Sequence, residues 1–444
     1  IQTGDANTAL GYSALSATTT SNGNVAVGYN TLLVNITGAA NTALGTNALV
    51  ANTTASDNVG VGYNSLAANE TGSVNTAVGT SALYSNIGGV ANTAVGRQAL
   101  TANTTANFNS AFGAEALVSN VTGAANTAIG YNALNANTTD GNTAVGKDAL
   151  ELNTTGVNTA VGTNALAANI TGTSNTAVGQ DALTANTGSG NTVSGAFAGY
   201  SNQSGGNNTA SGFRALQDNV SGGGNVAIGA YALDDNTDAS NNTAVGYAAL
   251  GANETGALNV GLGKDAGDSI NGGGGNVILG ALADVNSATG NYANVMGYAV
   301  TGDAGYTTLG ESGSDIRAAH GNVTWATVSD ERYKKDIVDS EAGLSLINAL
   351  RPRTFNYKNK GELPDSFRAY EEGSTEAFKS SQTQHGFIAQ EVKAAIDADD
   401  SIKDGFKLWD ERADGSQEVA EAALIPVLVK AIQELTARIE ALES

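Results

Sequence analysis

Asn75-Thr76-Ala77-Val78-Gly79 and, seventeen residues on, Asn92-Thr93-Ala94-Val95-Gly96 are two copies of one five-residue pattern. Worked outward, it becomes the consensus N-T-A-V-G-Y-N-A-L-x-A-N-x-T-G, whose glycine recurs eighteen times from Gly11 to Gly297. The spacing is 17, shortened to 16 on three occasions. A leucine stands four residues after the glycine from Leu15 to Leu250, except where Gly199 and Gly267 replace it, and an asparagine usually follows three residues later, as at Asn52, Asn69 and Asn137. Such a period marks a repeat architecture.

Seventeen residues are too few for two helices and a turn, and Gly, Asn and Thr disfavour helix. Short strands remain. In N-T-A-V-G, alternation places Thr and Val on one face and Asn, Ala and Gly on the other. The A-L-x-A-N segment is expected to form a second short strand, with N-x-T-G turning the chain into the next unit. Stacked units set like over like, so that Asn and Val ladders form and only the terminal backbone edges stay unpaired. At about 4.8 Å per coil, eighteen coils make a rod of roughly 85 Å. Ala, Val and Leu give it a thin core, so self-association around a common axis is the physical expectation.

Composition changes sharply near Val328. Before it lie only five basic residues (Arg97, Lys147, Arg214, Lys264, Arg317) and no proline; after it lie all three prolines and the other fifteen Lys and Arg. A net charge of -22 argues against nucleic-acid or anionic-membrane partners, which require basic patches. Cysteine is absent, so no disulfide framework holds the fold. No apolar run approaches the ~18 to 20 residues of a membrane span. Position 1 is Ile rather than Met, which raises the expectation of an upstream segment carrying the anchor. The sequons at Asn35-Ile36-Thr37, Asn52-Thr53-Thr54 and Asn69-Glu70-Thr71 recur because the turn recurs. Asp234, Asn236 and Asp238 sketch a calcium loop, but Ala239 and Val245 stand where it needs Gly and Glu. No metal or cofactor is expected.

The N-T-A-V-G units resemble the N-S-V-A-I-G repeats of trimeric autotransporter adhesin heads over roughly Asp5 to Tyr298. That resemblance implies a β-roll packed three to a fibre; triple β-helices of phage fibres are the rival geometry.

From Val323 the texture becomes mixed α and β. Ser329-Asp330-Glu331-Arg332-Tyr333-Lys334-Lys335-Asp336-Ile337, then Leu350-Arg351-Pro352-Arg353-Thr354-Phe355-Asn356-Tyr357-Lys358, then His385-Gly386-Phe387-Ile388-Ala389-Gln390-Glu391-Val392 resemble, in order, three blocks of the intramolecular chaperone domain of endosialidase-type tailspikes and phage fibres. The resemblance implies a homotrimeric folding module that releases itself by autoproteolysis. It maps the serine and lysine of that family onto Ser329 and Lys334, and the scissile bond onto Ser329-Asp330. A serine hydroxyl needs a base, and a neutral lysine serves when burial or a neighbouring cation favours loss of its proton; Arg332 and Lys335 could supply that repulsion. His385 is the alternative proton carrier. Attack by Ser329 on the Val328 carbonyl closes a five-membered ring and on its own carbonyl a strained four-membered one, while a hydroxyl from a neighbouring protomer avoids both.

At the end, Ile425, Leu428, Ile432, Leu435, Ile439 and Leu442 follow 3-4-3-4-3 spacing, a short coiled coil with Pro426 in its first turn. The expected layout is a mainly β repeat solenoid over 1–310 (β-roll or triple β-helix fibre), a connector over 311–327, a small α+β chaperone domain over 328–420 and a coiled-coil helix over 421–444, assembled as a homotrimer. The functional expectation is a tail fibre of a phage virion that attaches to a host-surface receptor, a glycan among the candidates, and is held to a baseplate or other anchor by the upstream segment. A secreted or cell-surface bacterial adhesin using the same chaperone is the alternative. A receptor-degrading enzyme finds little support, since no pair of carboxylates recurs in a non-repetitive insertion.

Overall fold

The computed structural model describes residues 4–312, 314–322, 325–327, 329, 331–399, 402, 406–412 and 415–443. The chain divides into two compact units, Ile1–Val328 and Ser329–Ser444.

The first unit is a β-solenoid of about eighteen coils. Most coils carry one three-residue strand, such as Thr76–Val78 and Thr93–Val95. The strands stack parallel and in register, Thr76 opposite Thr93, Ala77 opposite Ala94 and Val78 opposite Val95. Inward and outward faces fall as alternation requires: Asn75, Ala77, Asn92 and Ala94 are fully buried, whereas Val78 is 36% and Leu44 47% exposed. The glycine after the strand is a steric necessity. Gly79 has φ of +137°, and a Cβ there would lie 2.4 Å from the Gly96 carbonyl oxygen of the next coil.

The A-L-x-A-N segment departs from the second strand that its pattern predicts. It is a run of turns in which Asn47 and Leu49 take left-handed φ values of 58° and 53°. Its amides still reach the next coil: Leu49 N–H donates to the Ser65 carbonyl at 3.0 Å and Ala51 N–H to the Ala67 carbonyl at 3.1 Å. A left-handed backbone costs a leucine about 1–2 kcal/mol, and full burial of its side chain contributes about 1.5–3 kcal/mol. Burial wins, because Leu49, Leu66, Leu83 and Leu100 are wholly enclosed. Gly199 and Gly267 keep the same backbone at φ of 58° and 69°, and Leu183 and Leu250 of the preceding coils fill the space a side chain would need.

Two ladders of buried asparagine run through the solenoid. In one, Asn52, Asn69 and Asn86 each donate from Nδ2 to Oδ1 of the asparagine one coil before, at 2.8, 3.0 and 2.8 Å. In the other, Oδ1 of Asn41 and Asn58 accepts the backbone N–H of Asn58 and Asn75 at 3.0 and 2.9 Å. Each satisfied bond contributes roughly 0.5–1.5 kcal/mol, and the penalty for leaving such a group unpaired is larger. The three 16-residue coils lose their residue in the turn between the ladders. There the two ladders bond directly, Asn142 to Asn137 at 3.2 Å, Asn158 to Asn153 at 3.0 Å and Asn191 to Asn186 at 3.2 Å, and strand register is kept. At the C-terminal end, Asn294–Tyr298 pairs with Tyr306–Glu311, which folds back antiparallel on Ser314–Ala319, followed by Ala326–Thr327.

Among its described residues the second unit has three α-helices, α1 (Leu344–Ala349), α2 (Ala389–Asp397) and α3 (Leu424–Glu443). Two antiparallel strand pairs join Arg353–Phe355 to Gln384–Gly386 and Trp409–Glu411 to Gln417–Val419. Leu346, Val392, Ile396, Leu408, Leu424 and Val427 form its core. One side of α3 is therefore used within the unit, and Glu434 on it accepts the Leu344 N–H at the start of α1 at 3.0 Å. The heptad positions face elsewhere: Ile432 is 62%, Ile439 54% and Leu442 86% exposed.

Candidate self-processing site

Ser329 opens the second unit, and the sequence directly after it turns tightly. Glu331–Tyr333 form one 3₁₀ turn, with Lys334 N–H donating to the Glu331 carbonyl at 2.9 Å. The turn brings Lys334 back over Ser329, so that Nζ lies 2.8 Å from Oγ. Asp336 follows with φ of +57°, a left-handed conformation that aspartate tolerates better than most residues. Ser329, Arg332, Lys334 and Lys335 are all exposed in the single chain. An ammonium at Nζ donates to the hydroxyl oxygen; once neutral, the amine accepts the hydroxyl proton along the same line, which is the geometry a serine nucleophile and lysine base require. Val328 and Asp330, which flank Ser329, lie outside the described residues.

His385 stands apart from that pair. It is exposed on the strand Gln384–Gly386, opposite Thr354, and among the described residues it makes no hydrogen bond to Ser329 or Lys334. This strand pair brings together the second and third sequence blocks. Arg353 and Glu391 join them again: the Arg353 Nε–H donates to Glu391 Oε2 at 2.8 Å and a terminal guanidinium N–H donates to Oε1. The hydrogen bond from Arg353 holds the Glu391 carboxyl below the usual carboxylate range. Sequence reasoning named neither residue in this role, although arginine and glutamate each stand inside a block and a bidentate pair is the strongest use of both. Gln390, next to Glu391 in sequence, lines a cleft of about 570 Å³ together with the apolar side chains of Tyr357, Leu363, Phe367 and Phe378.

The solenoid resolves the sequence's other candidates. Asn35, Asn52 and Asn69 of the sequons are fully buried ladder members. Asn236 of the calcium-like run is another, donating to Asn219 Oδ1 at 2.7 Å. Among the described residues no group of three or more His, Asp or Glu is placed to hold a metal, and no helix is long and apolar enough to cross a membrane.

Residues 329–400 match the family model of peptidase S74, the chaperone of endosialidase. The match begins at the first residue of the second unit and spans all three blocks. No curated protein and no solved structure matches the chain. A β-solenoid followed by a chaperone-of-endosialidase segment is the arrangement of a fibre with a C-terminal chaperone domain.

Proposed function

We propose that this chain is a homotrimeric fibre protein for attachment to a host or other cell surface, and that its C-terminal unit drives trimerisation and then releases itself by a single autoproteolytic event. The observation that carries the reading is the chaperone family match starting at Ser329, the residue whose hydroxyl meets Lys334. Self-association is supported by two unpartnered apolar surfaces. Along the solenoid, the outward strand position is Val, Leu, Ile or Phe in every coil from Leu10 to Val178. On α3, the exposed heptad residues form the seam of a short coiled coil.

Lys334 acts as the base that removes the Ser329 proton, with Arg332 and Lys335 as supporting cations and His385 as the alternative proton carrier. Scission of Ser329-Asp330 by the hydroxyl of its own Ser329 would pass through a four-membered ring, so the attacking hydroxyl comes from an adjacent copy in the trimer. Its oxygen bonds to the Ser329 carbonyl carbon, the carbon–nitrogen bond to Asp330 breaks, and the lysine ammonium returns the proton to the departing amine. Water then hydrolyses the ester. Exposure of the pair in one chain fits a reaction that waits for assembly, when neighbouring copies desolvate the lysine. The virion of a phage is the setting this reading favours.

Ser329→Ala and Lys334→Ala are each expected to abolish cleavage on denaturing gels and leave a soluble trimer, since neither side chain is in the core. Full-length chain as the only species in folded wild-type protein would refute self-processing. Normal cleavage in Lys334→Ala would move the base elsewhere, with His385 next in line.

A further inference from the structure

In a repeat protein the consensus satisfies the fold, so surface positions that leave the consensus in consecutive coils are free to answer to something else. The position two residues after each glycine is Asn, Ser, Asp, Gln or Glu in every coil from Ser13 to Asp181. This position is left-handed, with φ of 58° at Asn47 and 55° at Asn132, and Asn and Asp tolerate that region best. In the next three coils it becomes Phe197, Arg214 and Tyr231, still left-handed at φ of 59°, 58° and 61°. Large aromatic residues are outliers there, and no requirement of the coil calls for them, because eleven sibling coils use Asn, Ser, Asp, Gln or Glu.

These residues build a platform. Phe197 meets Phe213 edge to face at 6.2 Å, Phe213 meets Tyr231 at 5.5 Å and Tyr231 meets Tyr247 at 5.7 Å. Arg214, the sole cation between Lys147 and Lys264, lies over Phe213 at 5.5 Å and Tyr231 at 6.0 Å. Asp234 interacts with Arg214 and stands beside Asp218 and Asp235. Its Oδ1 is buried with no hydrogen-bond partner among the described residues.

The outward strand position changes in the same place. Apolar from Leu10 to Val178, it becomes Ser194 and Ser211, both exposed. The apolar column suited to a second copy of the chain is thus interrupted where the rings are gathered. Rings offering faces and edges, serine hydroxyls and carboxylate acceptors together fit a partner with weakly positive C–H faces and many hydroxyl donors. We infer that Phe197, Phe213, Arg214, Tyr231 and Tyr247, with Ser211 and Asp234 at their side, form a glycan-binding platform that takes pyranose units of a surface polysaccharide. This inference rests on the attachment reading and assigns its contact site.

The test uses the full-length protein on a printed array of bacterial O-chain and capsular polysaccharides. Wild type is expected to bind a subset of spots. Phe197→Asn/Tyr231→Asn restores the residue type that sibling coils carry, so it is expected to keep or raise the melting temperature while binding falls about tenfold or more, as for truncated aromatic anchors. Tyr63→Ala, at a ring eight coils from the platform, is expected to bind as wild type does. Absence of wild-type binding across the array, undiminished binding by the double variant, or equal loss in Tyr63→Ala would overturn the platform. Dissociation of the double variant's trimer would overturn it too, in favour of an interface between copies. Cleavage and trimer mass measured on the same samples separate failure of the platform from failure of the fibre reading.

Discussion

The two units solve the folding problem in opposite ways. In the solenoid, one solution is applied about eighteen times: a buried Asn, an inward Ala, a glycine stacked on glycine and a leucine held left-handed by its own burial. In the C-terminal unit no position repeats, and its order depends on singular contacts such as Arg353 with Glu391 and Glu434 with the start of α1. Repetition makes each coil easy to form on its neighbour and makes neighbouring registers nearly equivalent. Slipping one chain by 17 residues past another puts almost every Val and Thr beside an equivalent residue. The aperiodic unit offers no such equivalent registers.

The largest expected effect breaks this division of labour. A chain ending at Val328 should misassemble or aggregate, whereas the segment ending at Ser329 that self-cleavage releases after folding should remain trimeric and resist unfolding, since escape requires opening many cooperative coils. Light scattering and circular dichroism melting compare the two directly. The same trimer with the same melting from the truncated chain would mean that the C-terminal unit is a partner-binding cap and not a chaperone.

Next comes one substitution made in both units. At Gly162 the backbone φ is +137° and a Cβ would meet the Gly179 carbonyl oxygen at 2.3 Å; at Gly373 φ is +72° with nothing within 4 Å. Gly162→Ala is therefore expected to destabilise the solenoid by about 3 kcal/mol or more, from strain and collision together. Gly373→Ala carries only the left-handed cost of about 1 kcal/mol. Chemical denaturation monitored by circular dichroism should rank them in that order, and similar losses would mean that the glycine column is not held by coil-to-coil contact.

The smallest effect is one of pH. Burial, then repulsion from Asp218 and Asp235, pushes the Asp234 carboxyl up to about 6, with Arg214 opposing. A raised carboxyl means that the folded chain holds the proton more tightly than the unfolded chain. Stability contributed by this group therefore falls as pH rises from about 4 to 6, and the cost is fully present above 6. Asp234→Asn should melt slightly higher than wild type at pH 7.5, and the difference should vanish near pH 4. A constant difference across that range would place its cause outside this titration.

The division of the chain, the coil length, the thin core and the three chaperone-like blocks were legible in the sequence by itself. Each is a matter of period, composition or local order, and Asn75-Thr76-Ala77-Val78-Gly79 carries its strand and its inward and outward faces in five residues. Tertiary structure decided what depends on residues meeting across coils or loops. Leu49 and its equivalents look like strand residues, yet stacking encloses them so completely that burial outweighs the left-handed backbone. Asn137 and Asn142 bond to each other only because a shortened coil still has to keep register with its neighbours. Arg353 and Glu391, 38 residues apart, meet because two blocks pair as strands. Lys334 reaches Ser329 because one 3₁₀ turn lies between them, a geometry that a spacing of five does not itself impose. Local pattern specifies conformations available to a segment; packing selects among them, because only there are buried area, collision and hydrogen-bond satisfaction all determined together.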